Sequence, residues 1–188
     1  MPTLYARHAS PLGPLTLTSD GHALTGLWLP HDRLLSARRA TLPHAAHATP
    51  VDALPVFAAA RAWLDAYFGG QKPALPPAAT LPLKPGGTPF QQAVYALLCA
   101  IPYGTCVTYG ALAREVARQR GMARMSAQAV GGAVGRNPIA IIIPCHRVMG
   151  AGGQLTGYGG GIDTKIALLT LEGVDTHNMH RPRRGAFA

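Results

Sequence analysis

The alternation of apolar and polar residues near the start of the chain predicts a β-hairpin. Leucines and threonines alternate over residues 15–18, Asp20-Gly21 follows, and apolar residues return over 24–29. An Asp-Gly pair between such runs is typical of a hairpin, because a tight two-residue turn needs positive φ at both central positions. We therefore expect a small N-terminal sheet with a turn at Asp20-Gly21.

A helix is predicted after this hairpin, because apolar residues recur there at helical spacing. It extends over residues 56–67, and the glycine pair at 69–70 predicts the end of this helix. Residues 30–55, rich in His, Ala, Arg and Pro, indicate a loop. The stretch 72–89 is rich in Pro and Gly, which is typical of an extended linker between domains.

The second half of the chain predicts four helices. Residues 88–91 (Thr-Pro-Phe-Gln) combine an N-cap, a proline at the first helical position and the glutamine of a capping box. Thr108 can cap a second helix, Ser126 a third helix over 127–135, and the last helix spans 163–172.

The second and third of these helices, joined by a glycine-containing loop, suggest a helix-turn-helix. Two ordinary packed helices fit the same composition. Glycines cost a helix about 1 kcal/mol each, so the small residues of the third helix indicate a close approach to another helix or to a nucleic-acid backbone.

These elements place the chain in the α/β (α+β) class. We expect a small N-terminal β-sheet plus helix domain over 1–72 and a linker over 73–87. A mainly helical C-terminal domain with the helix-turn-helix follows over 88–174, and a basic tail over 175–188.

Charge narrows the choice of partner. Of the 188 residues 48% are hydrophobic, enough for a core, which excludes a largely disordered chain. Lys and Arg number 17 against 8 acidic residues, a net charge of +9, and residues 109–150 hold six arginines and one glutamate. This bias indicates a polyanionic partner, nucleic acid before membrane, although a basic protein without such a partner is the alternative.

Cysteine usage and the N-terminus bear on the compartment. Cys99, Cys106 and Cys145 are an odd number without scaffold spacing, which favours a reducing compartment. The first residues lack the apolar core of a signal peptide, and the aliphatic run 139–143 is too short to span a bilayer. We expect a soluble, cytoplasmic protein.

The Cys145-His146 pair is the main chemical feature. Three functional interpretations of it compete with a purely structural role in the core. A zinc site would need more ligands, and no second Cys/His cluster lies at zinc spacing. A redox site would favour Cys-x-x-Cys, also absent. A nucleophilic cysteine needs a thiolate, which a histidine, an arginine and a remote carboxylate could support.

Several motifs in order resemble the methylated-DNA–protein-cysteine methyltransferases, also called O6-alkylguanine-DNA alkyltransferases. The similarity is strong over residues 88–173 and weak over 1–70, where it rests on residues 10–17. The motifs are Pro102–Gly110, Ala129–Ala133, Asn137-Pro138, Pro144-Cys145-His146-Arg147-Val148, Gly157–Gly161 and Leu171-Glu172-Gly173.

The resemblance implies a ribonuclease-H-like α/β fold for residues 1–72 and a suicide repair reaction, without a cofactor. Cys145 would attack the alkyl group on O6 of guanine, and O4-alkylthymine is a further substrate to consider. His146 would take the thiol proton through a water and Glu172 would orient His146. Tyr109 would donate a hydrogen bond to the leaving guanine, and Asn137 would order the turn that holds Cys145.

The resemblance also implies the substrate contacts. The carbonyls of Cys145 and Val148 would read the amino group of the base, the Gly159 N–H would face O6, and Tyr158 would wall the pocket. No metal is expected, since no cysteine precedes Cys99 to form the N-terminal zinc site of some relatives.

The target atom is inaccessible inside a duplex, so the nucleotide must be flipped out of double-stranded DNA. The family uses its small-residue helix for this, here with Ala127, Ala129 and Gly131, and inserts an arginine. This chain has Gln128 at that position, without the charge and planar fork of arginine. We therefore expect weaker DNA binding or slower flipping, and hypothesise that Arg124 in the preceding loop supplies the charge.

Two other function classes stay open on the sequence. Gln128 is compatible with a non-catalytic or weakly active protein that recognises alkylated bases. A helix-turn-helix regulator would leave Cys145-His146 unexplained and would call for dimeric half-site reading. For the methyltransferase we expect a monomer, cytoplasmic and nucleoid-associated when bound to DNA.

Overall fold

The computed structural model describes residues 3–30, 32, 54–74 and 80–181. Most of the predicted loop over 30–55, the middle of the predicted linker and the end of the basic tail lie outside these residues. The chain divides into two compact units. The first comprises Met1–Gly86 with Pro138–Ala140, and the second comprises Gly87–Asn137 with Ile141–Ala188.

An antiparallel sheet forms the first unit. Its strands are β1 (Leu4–His8), β2 (Leu15–Ser19) and β3 (Leu24–Trp28), in the order β1-β2-β3. Leu17 is paired with Ala6 on one side and with Leu27 on the other, and all three side chains are buried. The predicted hairpin between β2 and β3 is confirmed, whereas β1 was not predicted.

The turn of this hairpin differs from the prediction. Gly21 has φ of +99°, but Asp20 does not share a positive φ, so the expected two-residue turn is wrong. Instead the Asp20 carboxylate accepts hydrogen bonds from the backbone N–H groups of His22 (3.1 Å) and Ala23 (2.9 Å). An aspartate that bonds its own downstream backbone stabilises a longer loop.

Helix α1 (Pro55–Phe68) covers this sheet and contacts β2 and β3. It ends at Gly69, as predicted. Two later segments pair with β3: Leu83 forms a parallel bridge with Leu24, and Ile139 with Leu27. The C-terminal end of the predicted linker and the start of the isoleucine run therefore belong to the first unit.

The second unit contains α2 (Pro89–Cys99), β4 (Val107–Thr108), α3 (Tyr109–Gln119), α4 (Ala127–Val134), β5 (Val148–Met149) and α5 (Ile162–Leu171). The predicted caps are confirmed: Thr88 forms the capping box with Gln91, and Thr108 and Ser126 accept the N-terminal N–H groups of α3 and α4. Strand β4 lies parallel to β5. Within the described ranges, no helix is long and apolar enough to cross a membrane.

Candidate active site

The backbone around Pro144 turns sharply and places Cys145 in the second unit. Pro144 has φ of −82° and ψ of 63°, close to an inverse γ-turn, and the Cys145 N–H donates to the Ile143 carbonyl (2.8 Å). Ile141, buried and β-branched, has φ of +68°, a strained conformation for such a residue. Cys145 then opens a 3₁₀ turn and is 8% exposed.

Asn137 holds this turn through its side chain. Its Nδ2 group donates to the Ile143 carbonyl (2.8 Å) and to the Cys145 sulfur (3.1 Å). An amide donor at the sulfur stabilises developing negative charge there, since hydrogen bonds to a charged form favour that form. The asparagine therefore both fixes the turn and favours the thiolate.

Glu172 lies at the centre of a buried charged cluster. Its Oε1 lies 2.7 Å from His146 Nε2 and accepts from Arg147 Nη2 (3.0 Å). Its Oε2 accepts from Arg147 Nε (2.8 Å) and from the Gly104 N–H (3.0 Å). The fold thus brings His146 and Glu172, which lie 26 residues apart in sequence, into the predicted contact.

Arg147 belongs to the same cluster; the sequence offered an arginine as a support for the thiolate but gave Arg147 no individual role. Besides its two bonds to Glu172, its Nη1 donates to the Ile101 carbonyl (2.6 Å), and its guanidinium lies 5.7 Å from the centre of the Tyr103 ring. Because the guanidinium donates from several nitrogens in a fixed planar geometry, it holds the Glu172 carboxylate in one orientation. The position of His146 therefore depends on Arg147 as well.

The pKa values of Glu172 and His146 are both lowered, but by different causes. Burial alone would raise the pKa of Glu172, but hydrogen bonds from His146 and Arg147 outweigh it and lower the pKa to about 2. Burial lowers the pKa of His146, although the Glu172 bond opposes this. At neutral pH the cluster therefore pairs an ionised carboxylate with a neutral imidazole, which can accept a proton.

Lys165 is a further member of the site that the sequence reasoning missed. Its side chain is fully buried, and Nζ donates to the Val148 carbonyl. Burial lowers the pKa of Lys165 from 10.5 to about 8, while the charges of Cys145 and Cys106 act in the opposite direction. A mostly protonated amine near both sulfurs favours the thiolate of Cys145.

Tyr109, at the first position of α3, lies near the candidate nucleophile. Burial raises the pKa of its phenol, the nearby Thr156 side chain opposes this rise, and the Cys145 charge adds to it. The phenol is thus a neutral donor at physiological pH. Gly131 of α4 packs beside it, because a Cβ at Gly131 would stand 3.6 Å from the Tyr109 ring.

The predicted substrate-contact residues differ in burial. Val148 is buried, and its carbonyl already accepts from Lys165, which leaves one of its two lone pairs for a substrate. Tyr158 and Gly159 are half-buried in the glycine-rich segment before α5. Their predicted contacts to a base stay predictions.

An exposed surface at the start of α4 contains the predicted DNA-contact residues. Ala127, Gln128 and Ala129 are all exposed. In the last turn of α3, Arg118 forms a two-point ion pair with Glu115, and Arg120, which follows α3, lies over the Phe90 ring at 5.2 Å. For Arg124 the structure records no such partner among the described residues, and its side chain is exposed.

The other two cysteines lie in less reactive surroundings. Cys99 and Cys106 are half-buried, and burial raises the pKa of both thiols. A raised thiol pKa reduces the thiolate fraction at neutral pH. Both therefore fit the packing role predicted for them.

Known proteins resemble this chain over nearly its whole length. The family model described as 6-O-methylguanine DNA methyltransferase, DNA binding domain, matches residues 89–174, and the ribonuclease-like domain of the same family matches 3–84. The methylated-DNA–protein-cysteine methyltransferase of Mycobacterium leprae is 44% identical over 163 residues, covering 87% of this chain and 88% of that protein. The Haemophilus influenzae protein of the same name is 41% identical over 170 residues, covering 89% and 85%.

A solved structure agrees with these matches. The crystal structure of Mycobacterium tuberculosis OGT in complex with DNA is 43% identical, covers 93% of this chain and 94% of that chain, and superposes with a TM-score of 0.72. Sequence and fold thus point to the same proteins. The chain belongs to the methylated-DNA–protein-cysteine methyltransferase family.

Proposed function

We propose that this protein repairs alkylated double-stranded DNA by moving the alkyl group from O6 of guanine onto Cys145, irreversibly and once per molecule. O4-alkylthymine is a second substrate to test. The observation that carries the proposal is the buried Cys145 thiol, which accepts a hydrogen bond from Asn137 and is followed by the His146 imidazole, paired with Glu172.

The chemical step is a displacement at the alkyl carbon. The thiol proton passes to His146 through a water molecule, the sulfur forms a bond to carbon, and the carbon–O6 bond breaks. The electron pair of that bond stays on the guanine, and the phenol of Tyr109 donates a hydrogen bond to relieve the charge. Glu172 stabilises the imidazolium that forms, while Arg147 and Gly104 hold the carboxylate in place.

Recognition requires the damaged nucleotide to leave the duplex. We assign reading of the base amino group to the carbonyls of Cys145 and Val148, contact with O6 to the Gly159 N–H, and the pocket wall to Tyr158. Lys165 supports this arrangement, since its bond to the Val148 carbonyl fixes that acceptor beside the nucleophile.

The N-terminal end of α4 is our candidate DNA contact, with Ala127, Gln128, Ala129 and Gly131 in the minor groove. Gln128 brings no charge to it, so we assign a phosphate contact to Arg124. Arg118 is the matched control, because Glu115 already neutralises it. We expect Arg124→Ala to weaken DNA binding and reduce the salt slope by about one ion, and Arg118→Ala to change both less. Equal effects of the two variants would refute the assignment.

Transfer itself is tested by incubating the protein with a duplex containing O6-methylguanine. We expect loss of the methyl group from the DNA with wild-type protein and with Cys106→Ala, and no loss with Cys145→Ala. Tight binding of the duplex without transfer would indicate a recognition protein instead.

We place the protein in the cytoplasm as a monomer, associated with the nucleoid when bound to DNA. Sedimentation with and without duplex tests whether it is a monomer.

A further inference from the structure

The chain after α5 folds back onto the segment that precedes α5. The Leu155 N–H donates to the His180 carbonyl (2.8 Å), and the His180 N–H donates to the Gly153 carbonyl (3.1 Å). Gln154 and His180 thus form a parallel β-bridge. Residues 176–181, which we name the C-terminal clasp, are therefore a paired part of the second unit.

The clasp contacts the chain on both sides of residues 156–161, which belong to the glycine-rich segment (residues 150–161). At one end are the two backbone bonds to residues 153 and 155, where Gly153 also lies against the Asn178 carbonyl. At the other, Arg181 lies 2.7 Å from Asp163 in the first turn of α5, one residue beyond Ile162. The clasp thus contacts the chain before and after residues 156–161.

Between these attachments the segment is held by local bonds: the Gly161 N–H donates to the Tyr158 carbonyl (2.9 Å), and the Thr164 hydroxyl donates to the Gly160 carbonyl (2.8 Å). Gly152, Gly153 and Gly161 have positive φ, and a Cβ at Gly157 would meet no atom within 4 Å. Leu155 is the residue anchored in the core, at 1% exposure. It directly precedes Thr156, whose side chain lies near the Tyr109 phenol, and Tyr158 follows. A displacement of residue 155 would therefore be transmitted to Tyr109 and to the pocket wall.

We propose that the C-terminal clasp is a positioning element that sets the width of the alkyl pocket and so selects alkyl groups by size. The inference rests on the proposed function, because the pocket is that of the alkyl-transfer site. With the clasp closed, the segment holds Tyr158 and the Gly159 N–H where a methyl group fits. With the clasp open, the wall recedes, bulky groups are admitted, and methyl transfer slows because the donor facing O6 is less fixed.

Two substitutions at one position separate the backbone contact from the side chain. His180→Pro removes the N–H that donates to Gly153, whereas His180→Ala keeps that bond and deletes only an exposed imidazole. We measure single-turnover rates with duplexes carrying O6-methylguanine or O6-benzylguanine, and hydrogen exchange of the Leu155 amide. The reaction of Cys145 with iodoacetamide reports whether the nucleophile itself is intact.

We expect His180→Pro to lower the methyl-to-benzyl rate ratio about tenfold and to deprotect the Leu155 amide, with the iodoacetamide rate unchanged. His180→Ala should match wild type throughout. An unchanged rate ratio in His180→Pro, with the Leu155 amide deprotected, would overturn the proposal, as would an Ala variant that behaves like the Pro variant. If wild-type protein transfers neither group, the proposed function fails, and the pocket-width inference falls with it. The exchange measurement then still reports whether the clasp is closed.

Discussion

Removal of the charge on Glu172 perturbs the cluster on which the proposed mechanism depends. Glu172→Gln keeps the size of the side chain but replaces one carboxylate oxygen with an NH₂ group, which cannot accept from His146 or Arg147. Arg147 then loses the carboxylate that pairs with it at 2.8 and 3.0 Å. Both side chains are buried, so water cannot fully compensate.

The magnitude follows from the pKa of Glu172. Its reduction from 4.5 to about 2 means that the folded state favours the ionised form by about 3 kcal/mol. Breaking a buried ion pair by removing one partner typically costs a similar 3–5 kcal/mol. We therefore expect Glu172→Gln to lower the free energy of unfolding by about 3 kcal/mol at pH 7.

The effect has a defined pH dependence. Because the folded pKa is lowered, the stabilisation is fully present above the unfolded pKa of 4.5 and disappears as the pH falls toward 2. The difference between wild type and Glu172→Gln should therefore shrink over that window. Urea unfolding followed by circular dichroism at a series of pH values measures it.

Glu115→Gln is the matched control, since Glu115 also pairs with an arginine but on the surface. It should leave unfolding at pH 7 unchanged within error, because exposed ion pairs contribute little. Our reasoning would be refuted if Glu172→Gln cost no more than the control, or if its cost stayed constant from pH 5 to pH 2. The same variant should also slow methyl transfer, as His146 loses its orienting carboxylate.

Three further variants test other contacts of the site. Asn137→Ala should destabilise the fold by about 2 kcal/mol and slow thiol alkylation, because it removes the donor to Ile143 and Cys145. Asn178→Ala, on the surface, should do neither. Equal effects of the two variants would contradict the role of Asn137 in holding the turn and favouring the thiolate. Lys165→Met should abolish a rise in unfolding free energy between pH 8 and 10.5. In wild type the native state releases the proton near 8 while the unfolded chain keeps it to 10.5, so stability rises with pH over that window. If the unfolding free energies of variant and wild type changed with pH in parallel, the lowered pKa of the Lys165 amine would be refuted. Tyr109→Phe should slow methyl transfer about tenfold without changing the iodoacetamide rate of Cys145, and an unchanged transfer rate would remove the phenol from the mechanism.

Local signals in the sequence predicted the helices well. The caps at Thr88, Thr108 and Ser126 lie where expected, because each uses a side chain and a backbone N–H only three residues apart. The pairing of β3 with Leu83 and Ile139 could not be predicted in this way. Such contacts join residues far apart in sequence, and no local pattern encodes them.

The active site was predictable only in part. His146 and Glu172 were found through the resemblance, an arginine was expected only as a general support for the thiolate, and Lys165 was missed. For Lys165 a signal existed: residues 165, 168, 169 and 172 follow one helical face, and all are buried. A lysine on the same face as two leucines and the functional glutamate indicates a buried amine. The bond of Lys165 to the Val148 carbonyl, however, depends on tertiary packing that the sequence does not display.

The central claim is that Cys145, and no other residue, receives one alkyl group per molecule. It is tested most directly by reacting the protein with an excess of duplex carrying O6-methylguanine, then measuring the intact mass and mapping the modified peptide. We predict a gain of one methyl group, confined to the peptide with Cys145, with no further repair however long the incubation. Continued turnover, or methylation at Cys99 or Cys106 in place of Cys145, would contradict the account.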